Sequence, residues 1–220
     1  EIDLYTRFNC TVENYHPVGS IVADYYKNNV KKNISNAPKY DLCVVSAWPV
    51  HNKDQFSTIK LMDTFMAKYL KCHKMRIAIL MRTSNDYIIP SHFYNTGYKN
   101  EKKYYESLYG NNAELIGNNR EGMSTYNGMD NSEIVFGFMS TAIREAFGWG
   151  KKVLYCDFTG HNKYTSYEQM IMFTEPNYDS FSNRLDELRN EPYNDYNKRT
   201  KDYASYLMHD DQICPPHIYI

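Results

Sequence analysis

Ser140, Thr141 and Glu145 have the residue types and the spacing of a site that binds an oxyanion. They follow an apolar run and open a segment with helical periodicity. Either hydroxyl can cap such a helix, and the free N–H groups of its first turn, together with the helix dipole, attract a phosphate. The helix should end at Gly148–Gly150, because glycine suits the left-handed residue that closes a helix. The sequence therefore predicts an anion site where this helix begins.

Glu145 has three possible roles in such a helix. A capping box needs Ser or Thr three positions earlier, and residue 142 is alanine, so this role is excluded. The carboxylate can be favourable near the start of the helix or form an ion pair. It can also accept two hydrogen bonds from ribose hydroxyls while phosphates lie on the helix N-terminus. The residues alone favour the purely structural role.

The remaining candidates for chemistry are few. The seven histidines show no H-x-x-x-H or H-E-x-x-H spacing, and the five cysteines include no C-x-x-C pair, so we expect no metal. His16, before Pro17, could be a catalytic base or a phosphate contact, but a lone loop histidine is more often structural. Asp210-Asp211 could indicate a metal pair but is more often a solvated helix end. The motifs of NAD-dependent oxidoreductases, P-loop NTPases and serine hydrolases are absent from the sequence.

Composition limits the partners and the compartment. A formal net charge of -1 gives no general attraction to nucleic acid. No apolar run approaches the roughly 20 residues of a membrane span. The odd cysteine count, with Cys43 and Cys156 inside apolar runs, indicates reduced thiols. We therefore expect a cytoplasmic protein, free or at the cytoplasmic face of a membrane.

Apolar runs and helical periodicity alternate from residue 40 onward. The predicted strands are Asp41–Ala47, Met75–Met81, Ala113–Gly117, Ile134–Phe138 and Lys152–Cys156. The predicted helices are Phe56–Leu70, Lys99–Tyr109, Ser124–Asn131, Ser140–Trp149, Tyr178–Arg189 and Tyr193–Met208. This alternation predicts an α/β fold with a Rossmann-like parallel sheet flanked by helices, whose ligands bind beyond the carboxyl ends of the strands.

The first 39 residues differ from the rest of the chain. They contain a strand-like run at Ile2–Phe8, a short helix capped by Ser20, and the polar, basic stretch 27–39, which is typical of a solvated linker. We expect residues 1–39 to be an N-terminal segment and linker. Residues 40–220 are then the ligand-binding domain.

The segment Ser140–Leu154, with the pattern S-T-x-x-R-E-A-x-G-x-G-K-K-V-L, resembles the donor-binding motif of GT-B glycosyltransferases. In that family an acidic residue early in a helix binds the ribose of a nucleotide sugar. Met123–Val135 resembles the helix and strand that precede the motif. With H-P-V-G-S at 16–20, F-T-G at 158–160 and the C-terminal tail, the chain resembles the C-terminal half of surface-polysaccharide or lipopolysaccharide glycosyltransferases.

The resemblance implies a set of donor-binding residues. Six of them share the motif and its preceding helix: Ser124, Thr125, Tyr126, Ser140, Thr141 and Glu145. The first three would line the base or ribose, and the last three would hold phosphate and ribose.

Two arginines are further candidates for the donor site. Arg82, beside Thr83 after the second strand, would neutralise phosphate or is a surface arginine. Arg144 would do the same or pair with a surface carboxylate. No catalytic residue follows from the resemblance.

The resemblance implies transfer of a sugar from a nucleotide sugar to a glycan acceptor, without a metal. It also implies a missing acceptor domain that carries the general base, with residues 1–39 at the end of that domain. One alternative is a nucleotide-sugar epimerase of the UDP-GlcNAc 2-epimerase type. Another is a non-catalytic module that binds a nucleotide or carbohydrate. We expect this chain alone to bind its donor but to transfer sugar slowly or not at all.

Overall fold

The computed structural model of the chain describes residues 20–31, 38–93, 97–161 and 169–207, with side chains to residue 205. The strand-like run Ile2–Phe8, the candidate His16 and the pair Asp210-Asp211 lie outside the described residues. Their predicted roles stay predictions.

The described chain alternates strands and helices, as the sequence predicts. The strands are β1 (Tyr40–Val45), β2 (Ile77–Leu80), β3 (Ala113–Ile116), β4 (Ser132–Gly137), β5 (Lys152–Cys156) and β6 (Met172–Phe173). The helices are α1 (Ile21–Tyr25), α2 (Lys53–Cys72), α3 (Glu101–Tyr109), α4 (Ser124–Asp130), α5 (Thr141–Gly148), α6 (Tyr178–Asn190) and α7 (Tyr193–Leu207). A π-helical turn (Tyr26–Val30) continues α1, and a 3₁₀ turn (Gly110–Asn112) follows α3. The sequence did not predict β6, because two residues are too few to show a period.

The six strands form one parallel sheet in the order β3-β2-β1-β4-β5-β6. The chain builds outward from β1 in one direction and then returns to start again at β4. This reversal places a topological switch point between β1 and β4, where open sheets of this kind bind ligands beyond the strand ends. The predicted Rossmann-like α/β fold is confirmed.

Helices cover the sheet, and this explains the continuous apolar runs of the central strands. All residues of β2 and β5 are buried, and so are all but one each in β1 and β4. Such runs are typical of parallel strands that are covered on both faces. Helix α2 contacts α3 and α6, whereas α5 contacts α4 and α7.

Gly137, the last residue of β4, allows close packing at the switch point. A Cβ at this position would lie 2.6 Å from the carbonyl oxygen of Val45 in β1 and 2.9 Å from Cδ1 of Ile143 in α5. Only glycine lets the two strand ends and the following helix approach this closely.

The segment from Ser20 to Lys31 packs on helices α4 and α5. Ser20 caps α1 as predicted, since its hydroxyl accepts the N–H of Ala23 at 3.2 Å. The ring of Tyr26 is buried, and its centroid lies 5.8 Å from that of Tyr126. At the far end of the segment, Lys31 pairs with Asp130 at 3.0 Å.

Candidate functional site

Helix α5 begins at the switch point with a cap hydroxyl that the helix does not use. Ser140 has the extended backbone of an N-cap residue (φ -116°, ψ 131°), but its side chain makes no capping hydrogen bond. Thr141, the first helical residue, is exposed. We expected a hydroxyl at this point to accept a backbone N–H of the first turn. The Ser140 hydroxyl does not do so. Its oxygen and the free N–H groups of the turn can together meet an anion.

Met139 forms the turn between β4 and α5. Its φ of 54° is left-handed, which is uncommon for a residue with a Cβ, and 45% of its surface is exposed. The hydroxyl of Tyr155 accepts its N–H at 3.1 Å and fixes the turn. At the other end of the helix, Gly150 has a φ of 80°, the left-handed residue that the sequence predicts there.

Glu145 lies in the second turn of α5 and is held by two neutral hydroxyls. Oε1 accepts a hydrogen bond from Ser20 at 2.5 Å, and Oε2 accepts one from Tyr126 at 2.7 Å. Among the described residues it forms no ion pair. The structure therefore does not give Glu145 the ion-pair role. No cation of the described residues neutralises the charge of its carboxylate.

Tyr126 is kept in its neutral, donating form by its surroundings. Burial raises the pKa of its hydroxyl, and the hydrogen bond to Glu145 and the charge of that carboxylate raise it further. The ring contacts those of Tyr26 and Trp149, with centroid distances of 5.8 and 5.6 Å. Tyr126 thus offers a rigid donor to Glu145.

Ser124 and Thr125 stand at the start of α4 but have different surroundings. The hydroxyl of Ser124 donates to the carbonyl of Gly117 at 3.1 Å and accepts the N–H of Asn119 at 2.9 Å. Ser124 therefore closes the loop after β3. Thr125 is half-buried. Ligand contacts for both residues stay predictions.

The turn after β2 is fixed by a buried carboxylate that the sequence analysis did not single out. Glu101 is fully buried at the start of α3 and accepts the N–H of Arg82 (3.0 Å) and of Thr83 (2.9 Å). It also accepts the Thr83 hydroxyl at 2.6 Å. Burial raises the pKa of Glu101, whereas these hydrogen bonds lower it. The sequence around Glu101, a glutamate at the start of a helix with tyrosines after it, contains no pattern that predicts this contact.

Arg82 faces a pocket of about 460 Å³ over the ends of β2 and β3. Its Nη1 donates to the carbonyls of Pro49 at 3.2 Å and Ala47 at 3.4 Å, so these carbonyls orient the guanidinium, which has no carboxylate partner among the described residues. Arg120, which the sequence analysis did not single out, lines the same pocket. Two cationic side chains at one carboxyl-edge pocket can meet an anionic or acceptor-rich ligand.

The predicted site residues thus fall into two groups along the carboxyl edge. The first group is Ser140, Thr141 and Glu145 of α5 with Tyr126 of α4, which donates to Glu145. The second group is Arg82 and Thr83, which follow β2 on the other side of β1. Because Val45 of β1 pairs with both Leu80 and Gly137, these groups stand two strand spacings apart, on the order of 10 Å.

Arg144 also lies on α5, and its role in donor binding stays a prediction. Its guanidinium lies 5.6 Å from the ring centroid of Tyr155, so it packs on the next strand.

Within the described ranges, no group of three or more His, Cys, Asp or Glu side chains could hold a metal ion. In the same part of the chain, no helix has the length and apolar character to cross a membrane.

Comparisons with known proteins relate the fold to a group of solved structures. No family model matches the chain, and no curated protein matches it in sequence. A putative UDP-N-acetylglucosamine 2-epimerase from Listeria monocytogenes matches 89% of this chain and 54% of its own, with a TM-score of 0.54 and 13% identity. The S. aureus MnaA-UDP co-structure matches 92% of this chain and 52% of its own, with a TM-score of 0.55 and 12% identity.

A third structure, of a UDP-N-acetylglucosamine 2-epimerase, matches 90% of this chain and 49% of its own, with a TM-score of 0.54 and 10% identity. The chain therefore spans about half the length of the structures it matches. At these identities the likeness shows the fold, a Rossmann-like α/β domain.

Proposed function

We propose that this chain binds a nucleotide sugar and is the donor-binding half of a metal-independent glycosyltransferase. The phosphates lie on the N-terminus of α5, and the ribose hydroxyls donate to Glu145. The resemblance to the GT-B donor motif supports this assignment. The similar solved structures, the S. aureus MnaA-UDP co-structure and a putative UDP-N-acetylglucosamine 2-epimerase, support the binding of a nucleotide sugar.

The observation that carries the proposal is the order of groups along α5. The unused cap hydroxyl of Ser140 comes first, at the switch point, and the un-neutralised carboxylate of Glu145 follows five residues later. At a rise of 1.5 Å per residue, these positions are about 7 Å apart along the helix axis. In a nucleotide the phosphate and the ribose diol are likewise neighbours, so one ligand can meet both groups.

Electrostatics can stabilise the leaving group without a metal. As the sugar is transferred, negative charge develops on the terminal phosphate of the nucleotide. Free N–H groups and the dipole at the start of α5 stabilise that charge, and oriented guanidinium groups such as that of Arg82 can assist. The acceptor and the general base belong, in this proposal, to a domain outside residues 40–220.

A binding experiment with one substitution and one matched control tests the proposal. Calorimetry with UDP, CMP, GDP and dTDP should identify a nucleotide that binds, with UDP as the first candidate. Glu145→Gln keeps the shape of the side chain but removes its charge. Its loss of affinity should be about 1.5–3 kcal/mol, the range for hydrogen bonds to charged groups, or roughly 10- to 150-fold.

Asp130→Asn is the matched control, because Asp130 contacts the same N-terminal segment through Lys31 but lies at the end of α4. It should leave nucleotide affinity unchanged. Equal affinity of Glu145→Gln and the wild type would remove Glu145 from the site, and binding of none of the four nucleotides would end the proposal.

A nucleotide-sugar epimerase is the second candidate, and the similar solved structures of UDP-N-acetylglucosamine 2-epimerases favour it. Product analysis separates the two activities. An epimerase converts or hydrolyses its nucleotide sugar without an acceptor, whereas a transferase needs one. We expect slow transfer or none from this chain alone, and efficient turnover would show that the site is complete within it. Nucleotide binding without either reaction, even with the partner domain restored, would indicate a binding module.

A further inference from the structure

The Glu145 carboxylate is fixed from both sides and still has unused acceptor positions. An ionised carboxylate offers about four lone-pair positions, two on each oxygen. Ser20 occupies one position on Oε1, and Tyr126 occupies one on Oε2. Within the described residues no other donor reaches this side chain. One acceptor position therefore remains on each oxygen, which matches the two hydroxyls of a vicinal diol.

We propose that Ser20 and Tyr126 are positioning residues, which hold the Glu145 carboxylate in the orientation that receives the ribose diol. This inference rests on the proposed function, because it assumes that the diol meets Glu145. It adds the N-terminal segment to the nucleotide site, although Ser20 lies 125 residues from Glu145 in the sequence.

The geometry around Ser20 supports a positioning role. Its oxygen accepts the N–H of Ala23 at 3.2 Å, which leaves its proton for Glu145. The same hydroxyl thus starts α1 and orients the carboxylate. A glutamate has three side-chain torsions, and an unrestrained one spreads over several rotamers. Donors on both oxygens reduce this freedom before the ligand arrives, which is how preorganisation raises affinity.

The aromatic cluster fixes where both donors stand. Tyr26, six residues after Ser20, is buried, and its ring contacts those of Tyr126 and Trp149 at centroid distances of 5.8 Å to each. The segment and α4 are therefore packed together, and the two hydroxyls keep a constant separation across the carboxylate. Lys31 and Asp130 pair at the other end of the segment, away from Glu145.

The test compares a nucleotide that has the diol with one that lacks it. Calorimetry measures the binding of UDP and of 2′,3′-dideoxy-UDP to the wild type, Ser20→Ala, Ser20→Thr and Tyr126→Phe. We expect Ser20→Ala and Tyr126→Phe each to weaken UDP binding about tenfold, equivalent to about 1.4 kcal/mol. Binding of the dideoxy analogue should change less than twofold, because it makes no contact with Glu145. Ser20→Thr keeps the hydroxyl and should restore UDP binding.

Lys31→Ala is the matched control, since it loosens the same segment at its opposite end. Its UDP affinity should equal that of the wild type, and thermal unfolding should confirm that all variants fold. Equal losses for both nucleotides would mean that Ser20 acts only on the fold, and this result overturns the inference. Tighter UDP binding by Ser20→Ala would overturn it too, because Ser20 would then compete with the ribose.

The two levels of the proposal fail in different ways. Failure of the wild type to bind UDP or any other nucleotide removes the proposed function, and this inference with it. Wild-type binding of UDP with unchanged affinity in Ser20→Ala and Tyr126→Phe overturns the positioning role alone.

Discussion

Asp63 is a carboxylic acid on the apolar face of α2, and its titration should make the fold less stable as the pH rises. Its side chain is fully buried. Burial raises the pKa of Asp63 from 3.8 to about 8, the hydrogen bond from Tyr104 lowers it, and the charge of Glu101 raises it. The Tyr104 hydroxyl donates to Oδ2 at 2.9 Å, whereas Oδ1 has no partner among the described residues.

The direction and size of the effect follow from proton linkage. Because the pKa of Asp63 is higher in the folded chain, the unfolded chain loses this proton at a lower pH. The contribution of Asp63 to stability is full below about pH 4 and is lost as the pH rises to about 8. Between these limits the free energy of unfolding falls by about 1.4 kcal/mol per pH unit. From about pH 5 to about pH 7, the loss is roughly 3 kcal/mol.

Asp63→Asn removes the titration and keeps an oxygen that can accept the Tyr104 hydroxyl. Its amide adds an unpartnered donor, but that cost does not depend on pH. Urea unfolding, followed by circular dichroism, measures the free energy of unfolding at about pH 5, 6 and 7. The value for the variant, relative to that of the wild type, should rise by roughly 3 kcal/mol from about pH 5 to about pH 7. Asp54→Asn changes an exposed carboxylate of the same helix and should stay within about 0.5 kcal/mol of the wild type. A constant difference between Asp63→Asn and the wild type would refute the assigned protonation.

Two further predictions concern the switch point. Gly137→Ala should lower the free energy of unfolding by about 1–3 kcal/mol, because the new Cβ meets the backbone oxygen of Val45 at 2.6 Å. Gly122→Ala, whose nearest neighbour is the movable side chain of Asn119 at 3.1 Å, is the matched control in urea unfolding and should change little. Binding of UDP should be insensitive to EDTA in calorimetry, because N–H groups and arginines carry the phosphate charge; a loss restored by manganese would contradict this.

The β4–α5 segment could be predicted from sequence because its signals are local. An apolar strand, a cap serine, a helical stretch and a terminal glycine occur within about twenty residues. Each signal acts on its own backbone, so Ser140 becomes the N-cap and Gly150 takes a φ of 80°. The alternation of strands and helices likewise predicts a parallel sheet. It does not predict the order β3-β2-β1-β4-β5-β6, because right-handed crossovers are compatible with more than one strand order.

Contacts between distant parts of the chain could not be predicted in this way. Glu101 binds the turn at Arg82 and Thr83 through backbone N–H groups, and any sequence can supply an N–H. Asp63 occupies an apolar position of α2, where periodicity predicts a hydrophobic residue, and only the fold brings Tyr104 to it. Charged residues at buried positions depend on partners that the local pattern does not contain.

Glu145 shows how such a contact changes the meaning of a residue. In the sequence its carboxylate could stabilise a helix, pair with a cation or receive a ligand. A nearby cation would neutralise the charge of the carboxylate, and the hydrogen bonds from a neutral diol to it would then be weaker. Its partners are instead the hydroxyls of Ser20 and Tyr126, which orient the carboxylate and leave its charge intact. A charge that is oriented but not neutralised is what a charge-assisted hydrogen bond from a ligand requires.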